Sequence, residues 1–191
     1  MYYGTGNFSG EEWLDTVTLS PDLVILGQSI GVAGSSAGLN GTGIDGILGV
    51  GPADKTQDTV ENMSTVPTVS DNLFSQGTIS EEVLGVYFIP ATKTSENGEL
   101  TFGGYDECAI VGEVNYVPLT MTSPASTFWG IDQSLSYGNT TILSKTAGIV
   151  DTGTTLILIA TGELRVETRW LTWSADIRCR ALQMRSRNTS P

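Results

Sequence analysis

Apolar residues along this chain come in short runs rather than long amphipathic stripes. Trp13–Leu19, Leu23–Val32, Val83–Ile89, Glu99–Gly103, Val114–Leu119, Phe128–Tyr137 and Ile149–Asp151 are rich in β-branched or aromatic residues. They are separated by segments containing Gly, Asn, Ser or Pro, which is the pattern of strands punctuated by turns. Asn97-Gly98 and Gly138-Asn139 have the composition of hairpin turns. Only one segment has clear helical spacing: Val69, Leu73 and Phe74 stand at i, i+4 and i+5, and Gly77 supplies a stop. A helix is therefore predicted over Val69–Gln76. Ser80-Glu81-Glu82-Val83 could cap a second short turn, and Thr56–Thr68 reads as a surface loop. The expected fold class is all-β, mostly antiparallel, with one or two short helices.

Composition permits a core. Hydrophobic residues make up 39% of the 191, and the 23 glycines raise the apolar share to about 51%, near the level of globular domains. So many glycines also raise the entropic cost of ordering the chain. The net charge of −12 argues against nucleic acid and anionic membrane surfaces as partners, since both select basic patches. No apolar run approaches the roughly 18 residues of a membrane-spanning helix. No N-terminal signal peptide is visible before the first strand. Histidine is absent, which removes Ser-His-Asp and Cys-His mechanisms and the commonest metal ligand. The two cysteines, Cys108 and Cys179, make neither a metal site nor a disulfide framework. No metal and no cofactor are expected.

Charge divides the chain unevenly. Residues 1–162 carry 18 acids and only Lys55, Lys93 and Lys145, whereas residues 163–191 carry six arginines and three acids. Trp170 and Trp173 lie in that basic stretch. A basic tail can be a nucleic-acid arm, or the product of a translated intron or shifted reading frame. This tail is expected to be disordered. Asn-x-Ser/Thr triplets occur at Asn7, Asn40, Asn62, Asn139 and Asn188, compatible with a secreted, glycosylated parent.

The candidate chemistry centres on Asp151-Thr152-Gly153-Thr154-Thr155, between the apolar runs Ala147–Val150 and Leu156–Ile159. Buried strands on either side would hold the carboxylate rigidly within the fold. The hydroxyls of Thr152 and Thr154 and the Gly153 N–H are near enough in sequence to hydrogen-bond it and favour its ionised form. An Asp in an ordinary turn between two strands would account for the same residues.

Other segments lend weight to the catalytic reading. Tyr3-Gly4-Thr5-Gly6, followed by Trp13-Leu14-Asp15-Thr16-Val17, resembles the flap hairpin of pepsin-like aspartic proteases. Gly43-Ile44-Asp45-Gly46-Ile47-Leu48-Gly49 resembles the segment supporting the catalytic loop of their first lobe. Val69–Gly77 is similar to the helix that follows, and Leu100–Asp106 to the strand and glycine pair near the lobe crossover. Phe128-Trp129-Gly130-Ile131 resembles the opening of the second lobe, and Asp151-Thr152-Gly153 its catalytic motif. The resemblance runs in the family's order over residues 2–159 and is close to the secreted fungal members.

That resemblance implies a partial bilobal acid protease fold: residues 1–107 as the first lobe from the flap onward, 108–162 as the start of the second, and 163–191 as a tail without family likeness. It implies an aspartic endopeptidase, extracellular or vacuolar, acting on protein or peptide substrates, and a monomer if folded. Asp151 would be one member of the catalytic pair, with Thr152, Gly153 and Thr154 supporting its loop and Tyr3, Gly4 and Thr5 forming the flap over substrate. Family members carry two Asp-Thr-Gly motifs and this sequence contains one, so the chain is expected to be truncated at both ends and inactive alone. Two alternatives stay open: a non-catalytic peptide-binding or inhibitor-like relative, and a homodimer pairing two copies of Asp151. Retropepsins use the second arrangement, but there the motif precedes its own flap, whereas Asp151 follows one.

Overall fold

The computed structural model describes residues 1–3, 6–38, 45–89, 98–154 and 157–159. Gly4, Thr5, Asn40, the Asn97-Gly98 turn in its first residue, Thr155, Cys179, Asn188 and the whole tail 163–191 lie outside the described residues. Among the described residues, Met1–Leu84 and Thr101–Tyr105 form one unit, and Gly85–Leu100 with residues 106–159 form a second.

In the first unit, β1 (Tyr2–Tyr3), β2 (Gly6–Ser20) and β3 (Leu23–Ala37) make an antiparallel sheet in the order β1-β2-β3. Pro21 and Asp22 form the tight turn between β2 and β3, with Ser20 opposite Leu23. Both long strands exceed their predicted bounds. β3 carries on through Gly31–Ala37.

Burial along this ribbon is graded. Near the Pro21–Asp22 turn, Ile25 is fully buried and Val17, Leu19 and Leu23 pack beside it. Farther out, Trp13, Leu14 and Val32 are exposed. The cause is α1 (Val69–Ser75), which lays Val69 and Leu73 onto β3 together with Ile79 and Phe102. Leu73, like Ile25, has no exposed surface.

The sequence explains where α1 starts and stops. Thr68 and Asp71 form a reciprocal capping box: the Asp71 N–H donates to Thr68 Oγ1 at 3.3 Å, and the Thr68 N–H donates to Asp71 Oδ2 at 2.7 Å. At the other end Gly77 has φ +73°, a left-handed conformation that costs a residue without Cβ little, and Thr78 N–H returns to the Leu73 carbonyl at 2.9 Å. Two side-chain amides tie the helix to the sheet. Gln76 accepts from the Leu26 N–H at 3.0 Å and donates to the Leu26 carbonyl at 2.9 Å. Asn72 Nδ2 donates to the buried Gln28 Oε1 at 3.0 Å, so that a polar group taken from water keeps a partner.

Thr56–Thr68 is more constrained than a plain surface loop. It begins in a 3₁₀ turn, Ala53–Thr56, and the Thr56 Oγ1 accepts from the Val66 N–H at 2.7 Å while Val66 itself is buried.

β4 (Leu84–Phe88) pairs with β5 (Gly98–Phe102). In the second unit, β6 (Gly130–Tyr137) and β7 (Thr140–Ile149) form an antiparallel hairpin closed by Gly138-Asn139, as predicted for that turn. Two strand expectations are corrected here. Val114–Leu119 is not a strand: only Leu119 makes an isolated bridge, to Ile131. Pro118 lacks an N–H for a ladder, and Tyr116 and Val117 remain exposed. The strand expected over Ile149–Asp151 instead spans Thr140–Ile149 and ends two residues before the acid.

Candidate active site

Asp151 is delivered by the end of the β6–β7 ladder. Gly130 stands opposite Ile149 in that ladder, and one further hydrogen bond, from the Val150 N–H to the Trp129 carbonyl at 2.9 Å, extends it. Beyond Val150 the chain turns. The close approach that seats β6 requires glycine at 130, where a Cβ would lie 2.2 Å from the Ala125 carbonyl oxygen. Beneath it, the buried Thr120 donates its N–H to the Gly130 carbonyl at 2.9 Å and its hydroxyl to Asp132 Oδ1 at 2.7 Å.

Within the turn the Asp151 carboxylate is gripped at both oxygens. Oδ1 accepts the Gly153 N–H at 2.9 Å, and Oδ2 accepts the Thr154 hydroxyl at 2.6 Å. Both partners were expected from the spacing of the motif. Thr152 makes no bond to the carboxylate among the described residues. The effect is orientation: hydrogen-bonding both oxygens from residues two and three along fixes the carboxylate plane against its own turn. Asp151 itself is solvent-exposed.

That exposure corrects the expectation of a carboxylate clasped between two buried strands. The ladder before it forms, but residues 157–159 are not in a strand, and Ile157 and Leu158 are exposed. An apolar run pairs as a strand only where a neighbour offers free N–H and C=O groups, and no described strand does so for this one.

The other acids considered from sequence are placed differently. Asp45 is exposed in the first unit. Asp132 has one carboxylate oxygen engaged by Thr120. The pairing of Thr120 and Asp132 carries no sequence signal, because the two residues are brought together only when Leu119 bridges Ile131. No group of three or more His, Cys, Asp or Glu side chains suited to a metal occurs among the described residues.

Tyr3 belongs to the first unit. It pairs with Gly6 across β1 and β2. Its ring stacks on Phe8, with centroids 6.0 Å apart and planes inclined by 24°. Partial burial raises the phenol pKa above its ordinary value by desolvation. The N-terminal strand is pinned by mutual bonds between Met1 and Phe8, at 2.9 and 3.0 Å. Tyr3 is thereby a fixed aromatic at the end of a hairpin.

Comparison with known proteins connects these features. The family model described as "Eukaryotic aspartyl protease" matches residues 1–169, reaching past residue 162. Polyporopepsin of Irpex lacteus is 57% identical over 162 residues, which covers 83% of this chain and 47% of that protein. Rhizopuspepsin of Rhizopus chinensis is 38% identical over 160 residues, covering 82% of this chain and 38% of the relative. Vacuolar protease A of Aspergillus fumigatus is 33% identical over 161 residues, with the same 82% and 38% coverage. Among solved structures, the aspartic proteinase from Irpex lacteus superposes with a TM-score of 0.80 at 56% identity, covering 85% of this chain and 48% of that one. The chain spans about half the length of the relatives it matches, or less.

Proposed function

This chain belongs to the eukaryotic aspartyl protease family, and on that premise we propose that it supplies the flap hairpin and one of the two catalytic carboxylates of an acid endopeptidase. The observation that carries the reading is the Asp151 carboxylate, held at both oxygens by Gly153 and Thr154 at the end of a strand ladder. In the mechanism of this family two such carboxylates share a proton. The ionised one takes a proton from a water held between them, and the protonated one hydrogen-bonds the scissile carbonyl. Asp151 is one member of that pair, Thr152, Gly153 and Thr154 shape its loop, and Tyr3 with Gly4 and Thr5 forms the lid over substrate.

The sequence contains a single Asp-Thr-Gly. One carboxylate cannot both hold a proton and act as base, so the chain by itself is inactive. Its substrates are proteins or peptides, and its location is extracellular or vacuolar. The relative named Vacuolar protease A, the acidic surface and the Asn-x-Ser/Thr triplets support that location.

The test is fragment complementation. The purified chain should leave a denatured protein uncut at acid pH. Adding the part of the Irpex lacteus relative that this chain does not match should restore cleavage that pepstatin-type inhibitors block and that Asp151→Asn abolishes. Acid cleavage by the chain alone, or restored cleavage that survives Asp151→Asn, would overturn the reading.

A further inference from the structure

Two of the Asn-x-Ser/Thr triplets occupy positions built to carry a bulky group. Asn139 is the second residue of the two-residue turn joining β6 to β7, between the paired residues Tyr137 and Thr140. Asn62 sits at a corner of a turn closed by the Met63 N–H on the Val60 carbonyl at 3.2 Å, with φ +63°. Asparagine tolerates that left-handed conformation better than most residues. Both side chains are exposed, and among the described residues no hydrogen bond engages either amide. Asn7 is exposed as well but differs in its backbone setting. It lies in the central strand of a three-stranded sheet, with Tyr2 on one side and Ala37 on the other, so cross-strand neighbours flank its side chain. Asn40 and Asn188 lie outside the described residues.

We propose that Asn62 and Asn139 are N-glycosylation sites, their side-chain amides accepting an oligosaccharide from a polyprenyl-diphosphate-linked donor. In the transfer, Asn Nδ2 forms a bond to the anomeric carbon. The bond from that carbon to the diphosphate oxygen breaks, the diphosphate leaves with the electron pair, and the amide loses one proton to a base of the transferase. Ser64 and Thr141 supply the hydroxyl two residues on that the acceptor motif requires. At both turns the sugar projects into solvent from a corner, where it neither displaces a ladder hydrogen bond nor meets a packed side chain. It also covers the kind of exposed loop tip at which proteolytic nicking concentrates.

The proposal rests on the reading that the chain enters the secretory route, so the experiment separates the two. The full chain is expressed in yeast behind a secretion leader, and glycopeptides are mapped by mass spectrometry before and after endoglycosidase treatment. Both asparagines should be occupied. Asn62→Gln, Asn139→Gln, Ser64→Ala and Thr141→Ala should each remove one discrete mobility step, and Thr141→Ser should retain it. A leader-directed chain that emerges with either asparagine bare overturns the proposal for that position. Fractionation of the source cells tests location separately: a cytosolic native chain beside a fully glycosylated leader-directed one sustains the sites and removes the secretory reading.

Discussion

The α1–β3 region and the Asp151 turn are both specified by short stretches of sequence, yet they are held in opposite ways. Around α1, local signals and long-range packing agree. A capping box starts the helix, Gly77 stops it, and Leu73 and Ile25 meet in a fully buried contact backed by the Gln28–Asn72 and Gln76–Leu26 hydrogen bonds. The Asp151 turn has local bonds only: Gly153 and Thr154 orient the carboxylate, and the apolar residues just beyond it, Ile157 and Leu158, stand in solvent. The first region is stabilised by burial, which scales with area. The second is stabilised by geometry, which orients a group without adding much stability. A binding or catalytic group has to be reachable, and reachability is incompatible with the burial that makes α1 firm.

The sharpest way to break the comparison is to cut the buried side. Leu73→Ala should cost about 2–5 kcal/mol, read as a lowered denaturant midpoint, since Leu73 has no exposed surface. Removing the helix cap with Thr68→Ala should cost about 1 kcal/mol, seen in the same titration. A loss as large as that of Leu73→Ala would mean that the cap, rather than the packing, carries the helix. On the other side, Thr154→Ala deletes a side-chain bond at an exposed site. Its effect on stability should stay within about 0.5 kcal/mol, while cleavage in the complemented enzyme falls. A large stability loss there would show the turn to be part of a core.

The smallest effect is expected at Tyr3. Its phenol is held above the ordinary value near 10 by desolvation. The contribution of the neutral phenol is therefore complete below the unfolded value and is lost as pH rises through the higher folded one. An absorbance titration of phenolate should show one tyrosine ionising late, and Tyr3→Phe should remove that late step while keeping the stack on Phe8. A late step that persists in Tyr3→Phe would assign it to another tyrosine.

What could be read in advance followed the range of the interactions. The helix was legible to within a residue of its end, because Thr68, Asp71, Leu73 and Gly77 all act within a few positions of one another. The same holds for the bonds from Gly153 and Thr154 to Asp151. Strand limits were less legible. Val114–Leu119 has strand composition but a proline in the way of a ladder, whereas the polar Thr146 lies inside β7 because β6 offers it Gln133 as a partner. Composition says whether a residue suits a strand, and only a neighbour decides whether it forms one.

From its own residues the chain determined the all-β class, the position of α1, the acid and its two hydrogen-bond donors, and the motif order that marks its family. Tertiary structure alone decided that Gly130 must admit the Ala125 carbonyl, that Thr120 holds Asp132, that Gln28 and Asn72 meet under the sheet, and that Asp151 faces solvent. The division has one cause. Hydrogen bonds between residues two to four apart are set by backbone torsions that local sequence controls, while burial and close approach depend on which distant segment the chain brings alongside.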